Sequence, residues 1–97
     1  MTNKLELLKD TYTDEAELEL VLSKVLDLTL DRYRTRLERY EQELQKVEEE
    51  YNIDSHAFYQ RFETGEMGDA MDYFEWAGLY ELREALVAKI ERLEAAA

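Results

Sequence analysis

Ninety-seven residues make one domain at most, and an elongated chain of that size buries too little surface to be comfortably stable alone, so self-association is expected. Twenty-four acidic residues against twelve basic ones give a formal net charge of −12, a balance that repels phosphate backbones, attracts basic surfaces and argues against direct nucleic-acid binding. The absence of cysteine excludes disulfides and thiolate zinc sites, and no stretch approaches the roughly 20 apolar residues of a membrane span.

Met1 to Asp10 holds no apolar run of signal-peptide length, so the predicted location is cytoplasmic. Acidity with few aromatics would signal disorder. Here 45% of residues are apolar and 11% aromatic, and they recur at a helical period, so the charge decorates a fold. Lys4 to Tyr12 fits neither the helical nor the strand period; a helical turn, a short strand or a flexible arm over residues 1–12 each accommodates Leu5, Leu7 and Leu8.

Proline is absent and glycine occurs only at positions 65, 68 and 78, which leaves long stretches free to be helical. Leu18, Leu22, Leu26, Leu30, Tyr33, Leu37, Tyr40, Leu44, Val47 and Tyr51 form one stripe, its later part alternating steps of three and four as a heptad seam does. A first helix is predicted over 14–51, with Thr13 or Asp14 as its cap and Asp14, Glu15 and Glu17 suited to the positive end of its dipole. Asp54 or Ser55 can cap a short connector helix over 55–63, with Phe58 and Phe62 on one face and Gly65 placed to end it. A last helix over 69–95 carries Leu79, Leu82, Leu86, Ile90 and Leu93. The fold class is therefore all-α: a long antiparallel helical hairpin with a short connecting helix, expected to dimerise into a four-helix bundle.

Two further apolar lines exceed what a two-helix hairpin needs. One is Tyr73, Trp76, Tyr80 and Val87; the other is Leu18, Val21, Val25 and Leu28. Such faces need another surface to cover them. Self-association is assigned to Val21, Val25, Leu28 and Val87. Between Glu63 and Glu81 lie six acids and no basic residue, interleaved with Tyr73, Phe74, Trp76 and Tyr80. Dipole complementarity at a helix start accounts for Asp69 and Asp72 but not for Glu75, Glu81 or the rings. Asp72 and Glu75 fall where the Leu79 stripe would continue, so the hairpin core is expected to open there into an acidic mouth. Glu66, Asp69, Asp72, Tyr73, Glu75, Trp76 and Tyr80 are accordingly the predicted docking patch for a basic protein.

Catalytic readings are weaker. Asp69, Asp72 and Glu75 have the spacing of a Mg²⁺ carboxylate cluster, as in helical nucleotide hydrolases, but no Lys or Arg lies nearby in sequence to face a phosphate. His56 is the only histidine and reads as a connector surface residue. Arg32, Arg34, Arg36 and Arg39 look basic, yet Arg34 with Glu38 and Arg39 with Glu43 are i, i+4 pairs, which favours a salt-bridged helix face over RNA contact. No catalytic residue, metal or cofactor is assigned.

The stretch Tyr51-Asn-Ile-Asp-Ser-His-Ala-Phe-Tyr-Gln-Arg-Phe-Glu-Thr-Gly-Glu-Met-Gly-Asp69, followed by Asp72-Tyr-Phe-Glu-Trp76, resembles a group of short helical prokaryotic antitoxin-like proteins encoded beside small toxins. The resemblance covers residues 30–95 or so. It implies neutralisation of a toxin, often a basic nuclease, by occlusion. The chain shows no helix-turn-helix or ribbon-helix-helix pattern of the kind antitoxins commonly use on DNA. The sequence therefore predicts a non-catalytic binding protein whose partners are a second copy of itself and a small basic toxin-like protein, with a purely structural homodimer or adaptor as the alternative.

Overall fold

A computed structural model describes residues 3–11 and 14–97; the Thr13 cap lies outside them. Four helices follow in order: α1 (Lys4–Thr11), α2 (Glu15–Tyr51), α3 (Ser55–Glu63) and α4 (Met71–Ala96). The ambiguous leading segment is thus helical from Lys4 to Thr11, while Tyr12 lies outside the described residues. Asn3 caps it by accepting the Glu6 N–H at 2.8 Å. It buries none of its residues, which is why its leucines follow no clean period.

Asp14 caps α2, accepting the Ala16 N–H at 2.9 Å from an extended backbone. After 37 residues the helix ends at Asn52, which takes the left-handed conformation with φ 55° and donates its N–H to the Glu48 carbonyl. Asp54 then caps α3 through the Ala57 N–H at 2.8 Å, and the Glu48 carboxylate accepts the Ser55 N–H at 2.6 Å. Two carboxylates thereby satisfy the Ser55 and Ala57 amides at the positive end of α3. Gly65 and Gly68, both at φ 80°, make the return turn in a conformation that a Cβ would strain. α4 starts at Met71, two residues later than predicted, because Ala70 holds the extended cap position with no side-chain bond.

α2 and α4 form the hairpin. Tyr51 meets Tyr73, Glu41 pairs with Arg83 at 3.2 Å and Arg34 with Glu94 at 3.3 Å, so the partners descend along α4 as α2 ascends, and the helices are antiparallel. These half-exposed ion pairs contribute little stability; they record the register. Arg34 reaches across to Glu94, and neither the predicted Arg34–Glu38 nor the Arg39–Glu43 pair forms among the described residues.

Two apolar clusters hold the molecule. The first joins Leu30, Leu86 and Ile90, with Leu26, Tyr33, Leu37, Tyr40 and Leu93 against them. The second, at the closed end, joins Leu44, Phe58, Trp76 and Ala77. Trp76 lies flat on Phe58, ring centroids 3.7 Å apart and planes within 3°, and its indole N–H donates to the Ser55 hydroxyl at 3.0 Å. That bond satisfies the one polar atom of a ring that is 2% exposed.

Two sequence expectations change here. The Tyr73–Trp76–Tyr80 line is not surplus, because α3 folds back over it and closes the core within one chain. Trp76 is therefore a core side chain rather than a ring offered to a partner. Leu82, placed in the hairpin stripe by its spacing, is 55% exposed: α4 turns its Trp76, Leu86 and Ile90 side inward to serve both α2 and α3, and this carries Leu82 out. No helix among the described residues is long and apolar enough to cross a membrane.

Substitutions should rank accordingly in urea unfolding followed by circular dichroism. Trp76→Ala should cost about 3–5 kcal/mol, as aromatic truncation in a core does. Ser55→Ala should cost about 1–3 kcal/mol by orphaning the indole N–H. Leu82→Ala should stay within about 0.5 kcal/mol of wild type; a Leu82 loss matching that of Trp76 would place the stripe as the spacing alone predicted.

Candidate binding site

At the closed end, where the Tyr51 and Trp76 rings stack, a groove of about 450 Å³ opens between α2 and α4. Glu43, Val47, Glu50 and Tyr51 line it from α2, and Asp72, Glu75, Trp76 and Leu79 from α4. Its floor is apolar and its rim holds four carboxylates without one basic side chain. This is the acidic mouth that Asp72 and Glu75 foretold. Tyr51 stacks on Trp76 with centroids 5.5 Å apart, and its pKa is raised by burial first and then by the Glu50 and Asp72 carboxylates.

The seven residues predicted as one patch do not form one. Asp72, Glu75 and the edge of Trp76 line the groove. Tyr73 is half-buried between Tyr51 and Phe58, at centroid distances of 5.7 and 5.8 Å. Tyr80 faces α3, where its hydroxyl meets His56 Nδ1 at 3.0 Å and its ring lies 4.8 Å from that of Tyr59. Glu66 and Asp69 are exposed in the turn before α4. Sequence distance along a helix measured the window, whereas the wrap of α3 divided its faces. Glu43 and Glu50 were missed; their signal is the seven-residue spacing that brackets Val47 on one side of the seam.

The groove continues onto the outer face of α4. Phe74, Gly78, Leu82 and Ala85 form a shallow apolar strip that shares Glu75 and Leu79 with the groove and borders Glu81. Phe74 is 51% exposed even with its edge-on contact to Phe62. Gly78 sits inside the helix with nothing within 4 Å of where its Cβ would stand. A helical glycine costs about 0.5–1 kcal/mol relative to alanine, and no neighbour in this chain needs the room.

The remaining chemistry-bearing residues hold the frame. His56 Nε2 lies 3.3 Å from the Gln60 amide nitrogen; with that amide donating, Nδ1 carries the proton and donates to the Tyr80 oxygen. Asp69, Asp72 and Glu75 do not converge: among the described residues no group of three or more His, Cys, Asp or Glu side chains is placed to hold a metal ion. The self-association set also divides. Val21, Val25 and Leu28 lie on α2, the first half-buried and the other two exposed, whereas Val87 is half-buried on α4. No family model matches the chain, and neither a curated protein nor a solved structure is found to be similar to it.

Tyr59 donates to Glu81 at 2.5 Å, and this bond, reinforced by the nearby Glu63 carboxylate, pushes its pKa well above the ordinary 10.0. Folding thus favours the protonated phenol. The stability this contributes is complete below pH 10 or so and is lost as pH rises through the higher folded value. Melting temperature should fall in that alkaline window, and Tyr59→Phe should flatten the fall; superimposable pH profiles for wild type and variant would show that the Tyr59 bond is not coupled to folding.

Proposed function

We propose that this protein is a non-catalytic binding module that captures a basic protein partner at the groove and strip of α4, acting as an antitoxin-like inhibitor by occlusion. The observation that carries the reading is the pairing of four uncompensated carboxylates with an adjoining exposed apolar strip. A Lys or Arg side chain fits such a groove end-on, its methylene stem on Val47 and Leu79 and its charge among the carboxylates. An amphipathic segment of the same partner would place its apolar anchors on Phe74 and Leu82. Gly78 then has a use, since the missing Cβ lets another backbone approach closely.

The net charge of −12 supports the same reading at long range, because it speeds encounter with a basic molecule and slows it with an acidic one. The likeness of residues 51–76 to antitoxin-like proteins supplies the class of partner: a small basic toxin, blocked sterically. The rings of the original patch are relieved of that role. Tyr73, Trp76 and Tyr80 shape the groove from behind, and the carboxylates with Phe74, Gly78 and Leu82 meet the partner.

The reading predicts that a gene beside this one encodes a small basic protein, and the test is a co-purification and growth assay with that product. Wild type should bind it and relieve its toxicity, more weakly at high salt. Glu50→Lys with Glu75→Lys should weaken binding at least about tenfold, equivalent to about 1.4 kcal/mol, and Gly78→Leu should do the same by filling the strip. All three positions are open to solvent in whole or in part, so helicity should be unchanged. Full protection by the charge-reversed variant would sink the reading.

A further inference from the structure

The outer face of α2, turned away from α4, carries Leu18, Val21, Val25 and Leu28 at steps of three and four. Val25 and Leu28 are 55% and 61% exposed, and Leu18 and Val21 are half-buried. The described end of α4 lies beside Glu19, Leu22 and Leu26, so among the described residues the first turn of α2 has no part of α4 alongside. A helix end of this kind draws little support from its own chain.

The charges at the two ends of the line indicate what covers it. Asp14 is exposed four residues before Leu18, and Arg32 is exposed four residues after Leu28. Arg32 is in no ion pair among the described residues. The line is acidic at one end, basic at the other and apolar between them. Two such lines crossing antiparallel about a twofold axis match throughout: Leu18 meets Leu28 of the partner subunit, Val21 meets Val25 of the partner subunit, and Arg32 meets Asp14 of the partner subunit, each contact occurring twice. A parallel pair would set Asp14 on Asp14 and Arg32 on Arg32, and Arg39 and Lys46 further along the same face would repel as well.

We infer that a second copy of this chain packs antiparallel on the Leu18–Leu28 seam of α2, closed at each end by an Arg32–Asp14 ion pair. The contact spans about 27 Å of helix. It overlaps only the leading halves of the two α2 helices, a narrower joint than a full four-helix bundle. It leaves both acidic grooves free at opposite ends of the dimer, about 70 Å apart along the helix axis. This surface stands independently of what the groove binds.

Sedimentation equilibrium of the whole chain should give twice 11.6 kDa at micromolar concentration. Leu28→Glu, at a position exposed in the single chain, should yield a monomer of unchanged helicity, and Arg32→Asp should raise the dimer Kd at least about tenfold. Because the chain has no cysteine, spin labels can be placed singly on Lys24→Cys or Gln42→Cys. The antiparallel register gives a short separation for the first and one beyond about 50 Å for the second. A wild-type monomer, a dimer that survives Leu28→Glu, or short separations at both labels would each overturn the proposal.

Discussion

A long hairpin of two helices has only one seam to bury, yet α4 presents apolar side chains over more than that. The Phe58–Trp76 stack resolves the mismatch. It draws the nine-residue α3 back onto α4 and converts an open aromatic line into a closed core. Ser55 makes the arrangement specific: its backbone N–H is taken by Glu48 of α2 and its hydroxyl receives the Trp76 indole, so one residue ties three helices together. Removing the hydroxyl would leave a buried donor without an acceptor, which costs more than the bond itself contributes.

That closure decides where chemistry is left on the surface. With the Trp76 side of α4 turned inward, Asp72 and Glu75 are carried to the mouth of the groove opposite Glu43 and Glu50, and Phe74, Gly78 and Leu82 are carried outward. The acidic end and the apolar strip are therefore consequences of core packing. At the opposite end, among the described residues, neither α3 nor α4 closes over the outer face of α2, which keeps a partly exposed apolar line with opposite charges at its tips. One molecule thus has two unlike surfaces at its two ends: an acid-rimmed groove, proposed above to take a cationic partner, and an apolar seam, proposed above to pair with a copy of itself.

Much of this was legible in residue order. The α2 stripe, the Asp14 and Asp54 caps and the Gly65 stop gave the bounds of α2 and α3 within a residue, because cap and glycine chemistry acts locally. The acidic mouth followed from Asp72 and Glu75 interrupting the Leu79 stripe. What residue order did not reveal was which face of α4 pointed inward. Leu82 and Trp76 both lie on plausible apolar lines, and only the wrap of α3 ranks them. Local periodicity carries no record of a third helix arriving from 20 residues upstream, although Phe58 and Phe62 at a spacing of four marked α3 as having something to cover. Glu43 and Glu50 were hidden for a different reason: in a chain with 24 acids two more on a solvated helix carry no contrast until the opposite wall of the groove is known.

The most direct measurement on the central claim is acrylamide quenching of intrinsic fluorescence, since Trp76 is the only tryptophan. In the native protein its emission should be blue-shifted relative to the urea-unfolded chain, and its quenching should be strongly suppressed, as befits a ring closed between Phe58 and Tyr51. Emission and quenching in the native state equal to those of the unfolded chain would mean that α3 does not cover the aromatic line, and that the Trp76 face is open to a partner after all.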